Sequence, residues 1–280
     1  MSTQNPDRYA VIGNPISQTK SPLIHMAFAE ESGQNLVYIA LEGPLGQFAA
    51  TVDQFRAAGG KGLNVTVPFK LDACAYATDL SEDARAAGAA NALKFEGDRV
   101  YAQNFDGVGL VRDITYNLGQ PLAGKRVLLL GAGGAARGAI LPILREGPVQ
   151  LFVANRTVDK AQQLVEALRA SGAGAALQGG GYEALAGQRF DVVINATSAS
   201  LSAALPPLPA SAFETDGLAY DMVYGKGLTP FLRLAQQAGV RQLADGAGML
   251  VEQAAEAFAW WRGVRPETRA MIARISAPLV

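Results

Sequence analysis

The stretch Val127-Leu-Leu-Leu-Gly131-Ala-Gly133-Gly134-Ala-Ala136-Arg137 constrains this chain more than any other feature. Lys125 to Leu130 reads as a buried strand, and Ala135 to Arg145 reads as a helix. Between them, Gly131 permits a tight turn and Gly133 lets the backbone approach a pyrophosphate. Ala136 fills the third small position, where helix and strand pack closely. The helix N-terminus then offers N–H groups and a partial positive charge to phosphates. A glycine turn of this kind also occurs without a ligand. Its placement after a strand and before a helix points to a dinucleotide, with Gly131, Ala132, Gly133, Gly134 and Ala135 as the binding segment.

The end of the next strand, Gln150 to Ala154, says which dinucleotide. An NAD-binding chain places Asp or Glu about 20 residues after the turn, on the ribose 2′-hydroxyl. Here the sequence is Ala154-Asn155-Arg156-Thr157, with Lys160 a turn later. Asn155 can bond the ribose without repelling a phosphate, and Arg156 and Lys160 can hold a 2′-phosphate as fork and point charge. Thr157 adds a hydroxyl. The pattern predicts NADP, although basic side chains are also common at solvated helix starts. Asn195-Ala-Thr197-Ser198, after the strand Phe190 to Asn195, lines the crevice expected at strand C-terminal ends.

The rest of the chain alternates strand and helix twice over. Strands are expected at Tyr9–Gly13, Leu36–Leu41 and Gly62–Val67. Helices are expected from Ser21, as N-cap with Pro22 at the first helical position, and over Leu45–Ala58. Ala92–Phe95 and Arg99–Ala102 flank Gly97-Asp98 as a hairpin. The later block runs strand, turn, helix, strand, helix (Val158–Ala170), with a further strand at Gly217–Asp221 and, over Ala173–Gly181, a loose loop leading into or out of a short strand. A chain of 280 residues is comfortable for two domains. The expectation is an α/β protein with a mostly parallel substrate-binding domain and a Rossmann-type NADP-binding domain. The Ala-rich helix Met249–Trp261 is expected to return to the first domain. The boundaries are 1–106 plus 247–280 for the first domain and 107–246 for the second.

Composition removes whole classes of function. The net charge of −1 gives no basic field for nucleic acid or anionic lipid. One cysteine, Cys74, and one histidine, His25, exclude a disulfide framework and leave too few soft ligands for a His/Cys zinc site. Both are read as structural residues. The N-terminus has no secretory pattern and no apolar run is long enough to span a bilayer, so a cytoplasmic location is expected.

Further landmarks are Gly13-Asn-Pro-Ile-Ser-Gln-Thr19-Lys20-Ser21-Pro22, Gly62-Leu-Asn64-Val-Thr66-Val-Pro68-Phe-Lys70, Gly88-Ala-Ala-Asn91 and Asn104-Phe-Asp106-Gly107. Tyr220-Asp-Met222-Val-Tyr224 and Asp245-Gly246-Ala-Gly248-Met-Leu-Val-Glu-Gln253 follow. With these in order from Tyr9 to about Val264, the chain resembles the bacterial shikimate dehydrogenase family. The resemblance implies NADPH-dependent reduction of 3-dehydroshikimate to shikimate, a step toward chorismate and the aromatic amino acids, in a cleft between two domains. It also implies a small-molecule substrate, no nucleic-acid or membrane partner, and a monomer or homodimer. Carried over by motif, Lys70 and Asp106 are the catalytic pair. Thr19 and Ser21 contact the substrate carboxylate, Thr66, Asn91 and Gln253 contact ring hydroxyls, and Tyr224 is a further substrate contact. Met222 and Gly246 stand beside the nicotinamide, with Thr197 in the cofactor crevice.

The chemistry asks for such residues in its own right. Hydride reaching a ketone carbon leaves an alkoxide that needs charge stabilisation and a proton, and a lysine ammonium supplies both. Burial lowers a lysine pKa and a neighbouring carboxylate raises it, so proton transfer is assigned to Lys70 and Asp106 jointly. Taken singly, Lys70 also reads as a surface lysine and Asp106 as a helix cap. Two departures from the family pattern stand out: Phe105 where Thr is usual, and Thr19 where Ser is usual. A milder one is Ala199-Ser200. They predict a divergent paralogue that still oxidises shikimate. The competing readings are a quinate or quinate/shikimate dehydrogenase, which Arg156 and Lys160 oppose if it uses NAD, and a non-catalytic cofactor sensor. A sensor is expected to have lost Lys70 or Asp106.

Overall fold

The computed structural model describes residues 5–197, 199 and 205–279; Ser198 and Ser200 lie outside these. The chain divides into two compact units, residues 1–106 with 251–271 and residues 107–250 with 272–280. Residues 247–250 and 272–280 therefore group with the second unit, where the sequence pattern places them in the first.

The first unit contains β1 (Asp7–Gly13), α1 (Ser21–Glu31), β2 (Leu36–Glu42), α2 (Phe48–Ala57), β3 (Gly60–Val65), α3 (Lys70–Tyr76), β4 (Asp79–Leu80), α4 (Glu82–Ala87), β5 (Ala92–Glu96) and β6 (Arg99–Gln103). Its sheet has the order β2-β1-β3-β5-β6-β4. Pairing is parallel for β1 with β2 and β3, and for β4 with β6, whereas β5 runs antiparallel to β3 and β6. Strand residues alternate between faces. Ala10, Ile12, Leu63 and Val65 pack with Phe48, Val52, Phe55 and Phe69 in one core. Tyr9, on the other face, stacks on Trp261 with ring centroids 4.8 Å apart.

One detail of α1 differs from expectation. Lys20 occupies the cap position without a side-chain cap bond, and Ser21 is already helical. The reason is local: the Ser21 N–H donates to Thr19 Oγ1 at 3.2 Å, so the Thr19 hydroxyl takes the backbone donor.

The second unit begins with α5 (Asp106–Arg112), whose first residue closes the first unit. It continues into a π-helical turn, Asp113–Asn117. Then follow β7 (Arg126–Leu130), α6 (Gly134–Arg145), β8 (Gln150–Ala154), α7 (Val158–Ala170), β9 (Leu177–Gly180), β10 (Phe190–Asn195), β11 (Phe213–Asp221), α8 (Pro230–Gln237) and β12 (Gln242–Asp245). The sheet order is β12-β11-β10-β7-β8-β9 and every pair is parallel. Counted from β7, this is the doubly wound dinucleotide-binding order, and strand order reverses between β7 and β10. The helix α9 (Ala247–Arg262) starts in this unit and, from Val251 on, belongs to the first; α10 (Arg269–Ile275) follows it. No helix among the described residues is long and apolar enough to cross a membrane.

Candidate active site

In the first unit, Lys70 opens α3 and Asp106 opens α5, and their side chains meet: Lys70 Nζ lies 2.5 Å from Asp106 Oδ2. The pair is partly shielded, with 30% and 13% of the two side chains exposed, so its attraction is less screened than a surface ion pair's. The other carboxylate oxygen, Oδ1, accepts from Asn91 Nδ2 at 2.8 Å. Asn91 is fixed in turn, since its Oδ1 accepts the Phe105 N–H at 2.8 Å and its amide also reaches Gln253 Oε1 at 3.2 Å. Buried polar groups need such partners. Lys70, Asp106, Asn91 and Gln253 thus form one cluster whose hydrogen-bonded pairs are 15 to 162 positions apart in the chain.

Thr19 and Ser21 form a second group, with Thr19 Oγ1 donating to Ser21 Oγ at 3.2 Å. Ser21 stands near the phenol of Tyr38, whose burial pushes it well above the usual range. The Tyr38 hydroxyl donates to Asn64 Oδ1 at 2.7 Å, and Asn64 Nδ2 donates to the Asn91 carbonyl at 3.3 Å. Neither Tyr38 nor Asn64 is among the site residues expected from the sequence. Asn64 carries a usable signal, being a polar residue inside the apolar, buried strand β3. Tyr38 carries none, because aromatic residues are ordinary in strands. Thr66, half-buried just after β3, is held by its backbone N–H to Ile12 O at 2.9 Å. Among the described residues its side chain joins neither group. Phe105, the larger departure, packs edge-on to Trp260 with centroids 5.7 Å apart.

In the second unit, Gly131 follows β7 with φ +110°, a conformation other residues rarely adopt. Its N–H donates to Ala154 O at 2.8 Å, joining the turn to the end of β8. Gly133 stands at the cap of α6 without a side-chain cap bond, and the first turn of that helix has no acidic residue. Among the described residues, and apart from its own chain neighbours and helix backbone, nothing lies within 4 Å of where a Cβ would stand on Gly133 or Gly134. The helix end therefore presents backbone donors to an approaching anion with no competing carboxylate. Ala132 is buried and Ala135 exposed beside them.

At the end of β8, Asn155 is pinned by its N–H to Gly180 O at 3.1 Å and by its amide to Thr157 O at 2.9 Å. Arg156, Thr157 and Lys160 are exposed, and neither basic side chain has an ion-pair partner among the described residues. The donor set fits the phosphates of NADP: backbone N–H groups at α6 and two unpaired cations at α7. Thr197 is oriented by Asn195 Oδ1, which accepts its hydroxyl at 2.7 Å, while Asn195 Nδ2 donates to buried Asp221 at 3.2 Å. Met222 and Gly246 come together in the same unit. A Cβ on Gly246 would fall 2.2 Å from Met222 O, so only glycine permits this approach. Tyr224 lies close by in sequence, with its phenol pKa raised by burial.

Three family models match consecutive parts of the chain. These are the shikimate dehydrogenase substrate binding domain over residues 11–93, shikimate / quinate 5-dehydrogenase over 113–204, and the shikimate 5′-dehydrogenase C-terminal domain over 246–275. The shikimate dehydrogenase (NADP(+)) of Nitrosospira multiformis is 56% identical over 273 residues, covering 98% of each chain. Among solved structures, an Ael1 enzyme from Pseudomonas putida is 60% identical with a TM-score of 0.94, covering 98% of this chain and 100% of that one. The shikimate 5-dehydrogenase of Thermus thermophilus, solved in complex with NADP(H) and shikimate, is 31% identical with a TM-score of 0.84. That match covers 95% of this chain and 97% of the other.

Proposed function

This chain belongs to the shikimate dehydrogenase family, and on that premise we propose that it reduces 3-dehydroshikimate to shikimate reversibly with NADPH. The observation that carries the reading is the contact of Lys70 Nζ with Asp106 Oδ2 at 2.5 Å, in a unit whose neighbouring polar side chains are already ordered. A non-catalytic sensor has no need to retain that pair. The first unit is the substrate-binding domain and the second binds the cofactor.

Bound NADPH supplies the hydride. The residues of the chain do the rest. Thr19 and Ser21 hold the substrate carboxylate by hydroxyl donors, and Thr66, Asn91, Gln253 and Tyr224 meet the ring substituents. Lys70 stabilises the oxygen as it gains charge and exchanges a proton there with Asp106 as its partner. Asn91 keeps Asp106 turned toward the lysine. Gly131, Ala132, Gly133, Gly134 and Ala135 receive the pyrophosphate. Asn155, Arg156, Thr157 and Lys160 receive the 2′-phosphate ribose, and Thr197, Met222 and Gly246 line the nicotinamide end. The quinate alternative is not favoured, since the curated relatives carry the name shikimate dehydrogenase (NADP(+)). The setting is cytoplasmic, and the chain acts as a monomer or homodimer.

The test is steady-state kinetics with shikimate and with quinate, each with NADP and with NAD, read at the reduced nicotinamide absorbance. Turnover is expected with shikimate and NADP; absence of turnover with all four pairs overturns the reading.

A further inference from the structure

His25 is an anomaly in the first unit. It lies one helical turn after Ser21 on α1, so both residues share a face of the helix. The residue is 1% exposed, and among the described residues its two ring nitrogens make no hydrogen bond of good geometry. Burial holds its pKa down to about 3, opposed by Asn64, the one polar side chain close enough to favour the charged form. What the imidazole does make is a stack: its ring lies 4.2 Å from that of Tyr38 with an interplanar angle of 3°. Phe28, Phe258 and Trp261 close the box around it at 6.2, 6.2 and 5.5 Å. A neutral aromatic ring is therefore held flat against Tyr38, at the cost of two unpaired polar atoms.

Tyr38 stands between two hydrogen-bonded groups. Thr19 Oγ1 donates to Ser21 Oγ, Ser21 stands near the Tyr38 hydroxyl, and Tyr38 donates to Asn64 Oδ1 at 2.7 Å. Asn64 Nδ2 donates to the Asn91 carbonyl, and Asn91 Nδ2 donates to Asp106 Oδ1. Tyr38 thus lies beside the hydroxyl pair and is hydrogen-bonded, through Asn64 and Asn91, to the Lys70–Asp106 cluster. Members of both groups face the substrate in the reading above, whereas Tyr38 itself is only 5% exposed.

We propose that Tyr38, clamped by the stacked ring of His25, is a positioning residue that sets the spacing between the carboxylate-binding hydroxyls and the amide–carboxylate cluster. The proposal rests on the shikimate dehydrogenase reading. Tyr38 touches neither substrate nor cofactor; it acts through Ser21 and Asn64. His25 acts through Tyr38, by ring contact and without a proton.

Tyr38→Phe removes one oxygen and keeps the ring and its stack. Losing one buried hydrogen bond that orients ligand groups is expected to raise the KM for shikimate about tenfold. The kcat stays within about threefold and the KM for NADP is unchanged, because the chemical step and the second unit keep their groups. His25→Leu shifts the KM for shikimate in the same direction, and the double variant is no worse than the more impaired single one, as expected for residues acting as a unit. A fall in thermal stability with an unchanged KM for shikimate makes both residues structural and overturns the proposal. So does a collapse of kcat at constant KM, which places Tyr38 in the chemistry. If His25→Leu does not fold, Tyr38→Phe decides alone. Wild-type turnover of shikimate with NADP is the control: its absence removes the functional reading and this proposal together, whereas its presence with an unaffected Tyr38→Phe removes only the proposal.

Discussion

In the first unit the candidate recognition groups are side chains that satisfy one another: Thr19 with Ser21, Tyr38 with Asn64, Asn91 with Asp106, Asp106 with Lys70. In the second they are backbone donors at the start of α6 and exposed cations at the start of α7, with no ion-pair partners among the described residues. The first arrangement is preorganised: its polar groups keep their geometry before any ligand arrives, which favours orientation of a small, rigid molecule. The second leaves its donors to the ligand, and this suits phosphates, whose charge can reach exposed groups over a distance. The two halves should therefore fail differently when altered, the first in substrate parameters and the second in cofactor parameters.

The largest separation is expected at Lys70. Lys70→Met keeps most of the stem and removes the charge and the proton. It is expected to lower kcat about a thousandfold, within the usual range for loss of acid–base and electrostatic assistance. The KM for NADP should hold. A parallel rise in that KM would show that the two halves are not separable.

The acid sensitivity of the fold comes next, and it belongs to the first unit. His25 has a folded pKa lowered to about 3, below its ordinary value of 6.5. Between those values the unfolded chain binds the extra proton and the folded chain does not, so stability rises with pH across that window. The contribution is complete above about pH 6.5 and is lost as pH falls toward 3, on the order of 1.4 kcal/mol for each pH unit crossed. His25→Phe should flatten this limb. Chemical denaturation at pH 4.5 and pH 7 measures it; an equal pH slope in the variant would place the titration elsewhere.

Arg156→Ala tests the second unit. Removal of one charge-assisted contact to a 2′-phosphate is expected to raise the KM for NADP about tenfold to a hundredfold and to narrow the preference for NADP over NAD by the same factor. The KM for shikimate stays fixed. Unchanged cofactor kinetics would leave Arg156 as a solvated helix-start residue and shift the phosphate to Lys160 or Thr157.

The same contrast explains what the amino-acid order disclosed. A Rossmann unit is local: Gly131, the start of α6 and the end of β8 lie within a short span, so spacing and periodicity expose them directly. Strands β7, β8 and β10 and helix α7 stand close to where periodicity puts them. The substrate half is non-local. Nothing in the neighbourhood of Lys70 announces Asp106, which is 36 positions away, and the family resemblance supplied that pairing. Tyr38 stays hidden because its ring looks like ordinary strand packing and only its oxygen has a special partner. The cap of α1 departs from expectation for a related reason, since the Thr19 hydroxyl takes the Ser21 N–H. The short β4 and α4 have too few residues to show a period.

The smallest effect is expected at Phe105, although it is the most conspicuous departure from the family pattern. Its side chain and its backbone have separate tasks. The backbone N–H donates to Asn91 Oδ1 at 2.8 Å and so helps to hold Asp106, which any residue at this position can do except proline. The ring packs edge-on to Trp260 at 5.7 Å and takes no part in the hydrogen-bonded array. Phe105→Thr should therefore leave Asn91 in place. It should cost about 0.5–1.5 kcal/mol for the lost aromatic pair, beyond the lost burial of the ring. A melting temperature lower by a few degrees, roughly 2–4 °C for each kcal/mol in a chain of this size, is the expected readout. The kcat/KM for shikimate should change by less than about threefold, well under 1 kcal/mol of transition-state stabilisation. A rise of tenfold or more would mean that the ring occupies space the substrate needs. In that event the first unit would be tuned by the bulk of one side chain as well as by its polar array.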